Sequence, residues 1–424
     1  MTGQTLPLRL AASVCAILLG MTTLHAQTPR DSATGANTLD SLLRVHSHAV
    51  SQRGGTFTGP GVEFLLGQLR DAQFVALGER HGIAEIPQFA GWLLDTLARR
   101  HGFRFLAAEN GPATLEVLRR KGATRRHDSL QAFVRRYPNA LEFGGDEDLA
   151  LYARAGGRLE PLGGGLWFLD QEFGALHLLE SLRGRPGVTG ERARLLDSLM
   201  STMRVDESKA IDVGRHWMGV ASQPTPFARA ASQFAAAGDT AGASVLRMLA
   251  ESARLYDLNR RAGAGEPTGF DANNDREELM KRTFSAFYRR AARTQLPRAI
   301  VKLGSAHLNR GQGPFGPFTV GNLLSELAIA NGLRSYHVMV LAHNARADSL
   351  APSLWGWAAM RPIALAAPTT SAVLIDLRPL RAYAYAGRLG PLLPDLRRTI
   401  YGYDAMLVLG GAHEGREDIM HGRR

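Results

Sequence analysis

Short, nearly unbroken apolar runs of about four to six residues recur along the chain, each bounded by turn-forming residues. They are Gln73–Leu77, Arg104–Ala108, Leu166–Leu169, Ala299–Leu303, Tyr336–Leu341, Ala372–Ile375 and Ala405–Leu409. Strands without polar alternation are buried on both faces, and helical stretches separate several of these runs. The pattern therefore predicts an α/β fold with a mostly parallel central sheet flanked by helices. Leu39–Val50 and Gly61–Leu69 carry apolar residues at helical spacing. Between about 175 and 297 the pattern changes: Leu, Ala, Met and Arg dominate at helical spacing, broken near 184–190, 224–226 and 263–269. This reads as a large helical insertion within one α/β domain spanning 61–424, preceded by a lead-in and helix over 27–60.

The N-terminus follows a different rule. A single positive charge, Arg9, precedes the apolar run Leu10–Leu19, and small Ala26 follows a polar spacer. That order predicts a secretory signal peptide over 1–26, and the apolar run is shorter than the roughly 20 residues a membrane span needs. Periplasmic or secreted localisation follows, with no stable membrane anchor after cleavage.

Composition sharpens the picture in two ways. The only Cys, Cys15, lies inside the expected signal, so disulfides, thiolate nucleophiles and Cys-based zinc sites are excluded. The formal charge is +11, but the excess is almost all Arg, scattered as short pairs such as Arg99-Arg100 and Arg289-Arg290. No basic tail or aromatic-interleaved platform is present, so the expected partner is a small-molecule substrate rather than nucleic acid.

The polar residues that end the apolar runs carry the chemistry. Gly78-Glu79-Arg80-His81-Gly82 ends the first, with Glu85 beyond; Glu109 ends the second; Asp170-Gln171-Glu172 ends the third. Lys302 and Gly304-Ser305-Ala306-His307 end the fourth, His343 the fifth, Asp376 the sixth and His413 the last. In an open parallel sheet, ligands bind beyond the carboxyl ends of the strands, so parallel pairing would bring several of these groups to one crevice. Glu79 and His81, at i and i+2 after Gly78, form the strongest local unit; His307 follows Gly304 in similar fashion. His343 and His413 lack a nearby companion carboxylate. The Gly311–Gly316 segment fits GxGxxG but sits past its strand, where no dinucleotide turn is expected.

These residues resemble the erythromycin esterase-like (EreA/ChaN-like) superfamily, related to the TIKI/TraB group. The resemblance rests on Gly78-Glu79-Arg80-His81-Gly82 with Glu85, Gly102-Phe103 and Glu109, and Asp170-Gln171. It continues through Arg276-Glu277 with Met280, Gly304 with His307, and Gly321 with Leu324, in order over about 61–409. Close erythromycin esterases carry one more residue between Glu and His, and Phe168 stands where the family usually has Gly.

The resemblance implies a hydrolase-type pocket. On that reading His81, polarised by Glu79 or Glu109, deprotonates water to cleave an ester, lactone or amide, while His307 and Arg276 stabilise the oxyanion. Glu85, Asp170, Glu172 and Lys302 are expected to contact substrate. A divalent Zn or Mn ion held by Glu79, His81, Glu109, Asp170 and His307 is equally compatible with the residue types. The alternative is a non-catalytic metal-, haem- or small-ligand-binding protein on the same fold.

Overall fold

A computed structural model describes residues 29–212, 223–344, 357–364, 366, 370–413 and 415. The expected signal peptide lies outside the described residues. Among the described residues nine strands form one sheet: β1 (Ser47–Arg53), β2 (Thr56–Thr58), β3 (Ala72–Glu79), β4 (Phe105–Ala108), β5 (Gly165–Phe168), β6 (Ala299–Gly304), β7 (Arg334–Asn344), β8 (Ala372–Asp376) and β9 (Ala405–Ala412). Their order is β2-β1-β8-β9-β7-β3-β6-β4-β5. From β9 to β5 every pairing is parallel. β8 runs antiparallel to β9, and β1 antiparallel to both β8 and β2. The fold is α/β with a mostly parallel sheet, as the apolar runs predict.

All eight residues of β3 and all six of β6 are buried. Helices cover both faces, which is why these strands tolerate no polar alternation. Register aligns Glu79 with Gly304, and Ala108 with both Lys302 and Phe168. The residues that follow β3, β6, β4 and β5 therefore leave the sheet side by side.

The N-terminal segment departs from expectation. Helical spacing over Leu39–Val50 is realised only to Val45, in the helix Pro29–Val45, and β1 then begins at Ser47. Edge pairing with β8, Ser47 opposite Ile375 through Val50 opposite Ala372, overrides the local pattern. The stretch read as lead-in and helix thus supplies β1 and β2 to the same sheet.

Between β5 and β6 lie the helices Leu176–Arg183, Gly190–Asp212, Pro224–Ala236, Thr240–Gly263 and Gly269–Ala291. The last returns to the sheet: Phe284 meets Trp167 at 5.6 Å and Phe74 at 5.5 Å, and Phe287 stacks on Trp167 at 5.8 Å. Positions 276, 277, 280, 284, 287 and 288 share one helical face. Packing Met280 and Phe284 against the sheet carries Arg276 and Glu277, one turn earlier, to the strand ends.

Candidate functional site

Gly78 is required by close approach, since a Cβ there would run into the ring of Tyr403. Glu79, the last residue of β3, is buried and accepts a hydrogen bond from Lys302 Nζ at 2.6 Å. Lys302 also donates to Asp148 at 2.9 Å, so one buried ammonium bridges two carboxylates. Burial alone would raise the Glu79 pKa, but the Lys302 charge and the His81 contact outweigh it and hold the group below the usual carboxylate range.

His81 follows two residues later, its Nδ1 3.3 Å from Glu79 Oε1 and its side chain 42% exposed. Phe143 stacks on the imidazole at 4.4 Å. The other ring nitrogen lies over Gly304, where a Cβ would stand 2.7 Å from His81 Nε2. Burial favours the neutral ring, yet the Glu79 hydrogen bond and the charges of Glu109 and Glu79 prevail and raise the pKa above 6.5. With Nδ1–H donated to Glu79, Nε2 is the basic nitrogen.

Glu109, just past β4, is buried between the two halves of the cluster. It accepts from Gly304 N–H at 2.7 Å and from Arg276 Nη2 at 2.8 Å. Burial pushes its pKa up, but the charges of His307, His81 and Arg276 and the Gly304 bond bring it down to about 2. Asp170, past β5, takes Arg276 as a fork, through Nε at 3.0 Å and Nη2 at 2.5 Å. His307 Nδ1 lies 2.5 Å from Glu277 Oε1, and Nε2 is 3.7 Å from Glu109. The carboxylates of Glu277 and Glu109 overcome burial and raise the His307 pKa. Glu79, His81, Glu109, Asp170, Arg276, Lys302 and His307 are therefore one connected network at the parallel strand ends.

Other expected residues lie elsewhere. Glu85 receives the His413 backbone N–H at 2.9 Å and sits 2.7 Å from His413 Nδ1. His413 therefore does have a companion carboxylate, one that sequence reading missed because the two stand 328 residues apart. Glu172 is buried and accepts from Ala113 N–H at 2.6 Å, Thr114 N–H at 3.2 Å and Thr114 Oγ1 at 2.6 Å. It caps the helix Pro112–Arg120, so its oxygens are spent inside the protein. Asp376 ends an antiparallel strand, which puts it opposite Ala405 at the start of β9, at the far end of the sheet, where it binds Arg378. The side chain of His343 lies outside the described residues.

Two residues beside the network carry no signal in the sequence, whereas Glu277 belongs to the Arg276-Glu277 pair already noted there. Asp148 lies in the first turn of a helix (Asp146–Leu159), and Glu142 sits in the loop before Gly144-Gly145. Each gains meaning only from tertiary placement, which helical or loop context does not announce.

The residues do not suit a divalent metal. Among the described residues no group of three or more His, Asp or Glu has the geometry to hold one. The donor chemistry explains why: Lys302 and Arg276 already neutralise Glu79, Glu109 and Asp170 and stand where a metal would have to bind.

No known protein family and no curated protein matches the sequence. Solved structures do match over most of its length. A protein from Bacillus cereus has a TM-score of 0.52 at 15% identity, covering 90% of this chain and 98% of its own. A succinoglycan biosynthesis protein gives 0.54 at 13%, with 90% and 98% coverage. Erythromycin esterase EreC, a mutant in its open conformation, gives 0.52 at 14%, with 83% and 94% coverage. At these identities the likeness is one of fold, and the chain has an erythromycin esterase-like fold.

Proposed function

We propose that the protein is a hydrolase that uses His81 to activate water against the carbonyl of a small-molecule ester, lactone or amide. The observation that carries this reading is the setting of His81. One ring nitrogen is held by buried Glu79, and the other is free to take a proton in a partly open position over Gly304. An imidazole so arranged has the tautomer, orientation and access of a general base.

The rest of the network has roles to match. Lys302 and Asp148 fix Glu79, which in turn fixes the His81 ring. Gly304 N–H and Arg276 anchor Glu109, whose negative charge favours the imidazolium formed as water loses its proton. His307, held by Glu277 with its pKa raised by the carboxylates beside it, presents Nε2, and Arg276 adds a fixed positive charge. Both favour the oxyanion as the carbonyl becomes tetrahedral. Because the rings and charges are locked by buried partners, little reorganisation accompanies the reaction.

The test is hydrolysis of an ester, lactone and amide panel by wild type and His81→Ala. The reading expects cleavage of at least one class by wild type, and a loss on the order of 100-fold or more in the variant. Cleavage unaffected by His81→Ala would sink it.

A further inference from the structure

One acid of the network has no place in that scheme. Glu142 lies one residue before Phe143, the ring stacked on His81. Its backbone N–H donates to Asn110 Oδ1 at 2.9 Å, and Asn110, next to Glu109, is itself held to the Tyr152 hydroxyl at 2.9 Å. The loop is thus pinned at the end of β4, against the other site acids. Glu109, Asp170 and Glu277 have both oxygens bonded to cationic or N–H donors. Glu142 Oε2 is buried with no hydrogen-bond partner. An orphaned buried carboxyl oxygen is costly and calls for a partner from outside the protein.

We propose that Glu142 is the acid that protonates the leaving oxygen in the hydrolysis described above, an inference that rests on that reading. His81 Nε2 takes a proton from water, and the hydroxide oxygen bonds to the carbonyl carbon. The bond from that carbon to the leaving oxygen breaks, the electron pair departs with the oxygen, and the oxygen takes the Glu142 proton. The imidazolium of His81 then returns a proton to the Glu142 carboxylate through solvent, restoring both groups.

The electrostatics agree with that role. Burial raises the Glu142 pKa to about 7, and Arg276 pulls it down, Glu109 pushes it up, His81 pulls it down and Asp170 pushes it up. The Tyr256 phenol also faces it, from the helix Thr240–Gly263. Glu142 therefore still holds its proton in about half of the molecules at pH 7, while Glu109, at about 2, has lost its own. Two carboxyls in one site are thus driven apart, one to donate a proton and one to hold charge.

The experiment compares Glu142→Gln with wild type on ethyl butyrate and 4-nitrophenyl butyrate, with His81→Ala alongside. Ethoxide needs a proton to leave and 4-nitrophenolate does not. The loss in kcat/KM on the ethyl ester is expected to exceed that on the nitrophenyl ester by about 30-fold or more. The falling limb of the ethyl-ester pH profile near 7 should vanish as well. Equal effects on the two esters, whether large or absent, would overturn the assignment; the nitrophenyl rate also reports whether the variant is folded. Failure of the His81 reading looks different, because His81→Ala would then spare both esters. Wild-type protein that cleaves neither ester overturns the Glu142 assignment, whereas the His81 reading falls only if the lactone and amide are spared as well.

Discussion

Replacing Gly304 by Ala adds one methyl group at the centre of the network. The Gly304 backbone, at φ −50° and ψ 141°, is open to any residue, so alanine introduces no backbone strain. The new Cβ would sit 2.7 Å from His81 Nε2, 3.1 Å from Cε1 and 3.5 Å from Glu109 Oε2. Ordinary contact begins near 3.5 Å, so the imidazole must retreat by roughly 0.8 Å, while Glu109 can stay. A displacement of about 1 Å at a reacting group costs on the order of 100-fold in rate. Stability should hardly move: the half-open ring has room to yield, and Gly→Ala at a permitted φ gains about 0.4–1 kcal/mol through the unfolded chain. The assay is kcat/KM on whichever panel ester wild type cleaves best, beside thermal unfolding. The expected result is a 30- to 100-fold loss with the unfolding free energy unchanged within about 1 kcal/mol. A variant within twofold of wild type would refute the placement of His81 Nε2 over Gly304 as the reacting geometry.

Three further substitutions test other contacts of the structure. Glu79→Gln removes the negative charge that helps raise the His81 pKa, so the acid limb of kcat/KM should move to lower pH; a limb that stays put would detach Glu79 from His81. The same shift has a stability counterpart. A His pKa raised on folding stabilises the protein below 6.5 and loses that contribution as pH rises through the raised value, so chemical denaturation of Glu79→Gln should lose stability more at pH 5.5 than at pH 8. Asp404 accepts from Arg310 at 2.6 and 3.0 Å, from Arg381 at 3.0 Å and from His337 N–H at 2.9 Å, and Asp404→Asn should cost about 3 kcal/mol at neutral pH by stranding two guanidinium groups. Its carboxyl is held down at about 2, so that stabilisation is present above the ordinary value of 3.8 and fades as pH falls towards 2. Glu172→Ala strips the cap from Pro112–Arg120 and should cost about 2–3 kcal/mol in urea unfolding.

Seven strands stand out in the sequence because burial on both faces leaves an apolar run that local periodicity cannot disguise; β3 and β6 are the clearest. β1 fails that test: of its seven residues only Val50 is buried, so only pairing with β8 reveals it as a strand. The site divides along the same line. Glu79, His81, Glu109, Asp170 and Lys302 stand in or directly after parallel strands, where topology forces convergence, and are visible as polar endings of apolar runs. Arg276 and its neighbour Glu277 stand out in the sequence only through their resemblance to a family motif. Asp148 and Glu142 come from helix and loop positions, and nothing local marks them as partners of groups more than 25 residues away. The apparent lack of a carboxylate near His413 has the same origin, since Glu85 reaches it only through the fold.

The central claim is that His81, held through Nδ1 by Glu79, is the base that activates water. It is tested most directly by following the His81 imidazole by nitrogen NMR across the pH range over which kcat/KM is measured. The account predicts a neutral ring protonated on Nδ1, a pKa above 6.5, and an acid limb of kcat/KM at the same pH. A ring that titrates below 6.5, or an activity that rises at a pH where His81 does not titrate, would contradict it.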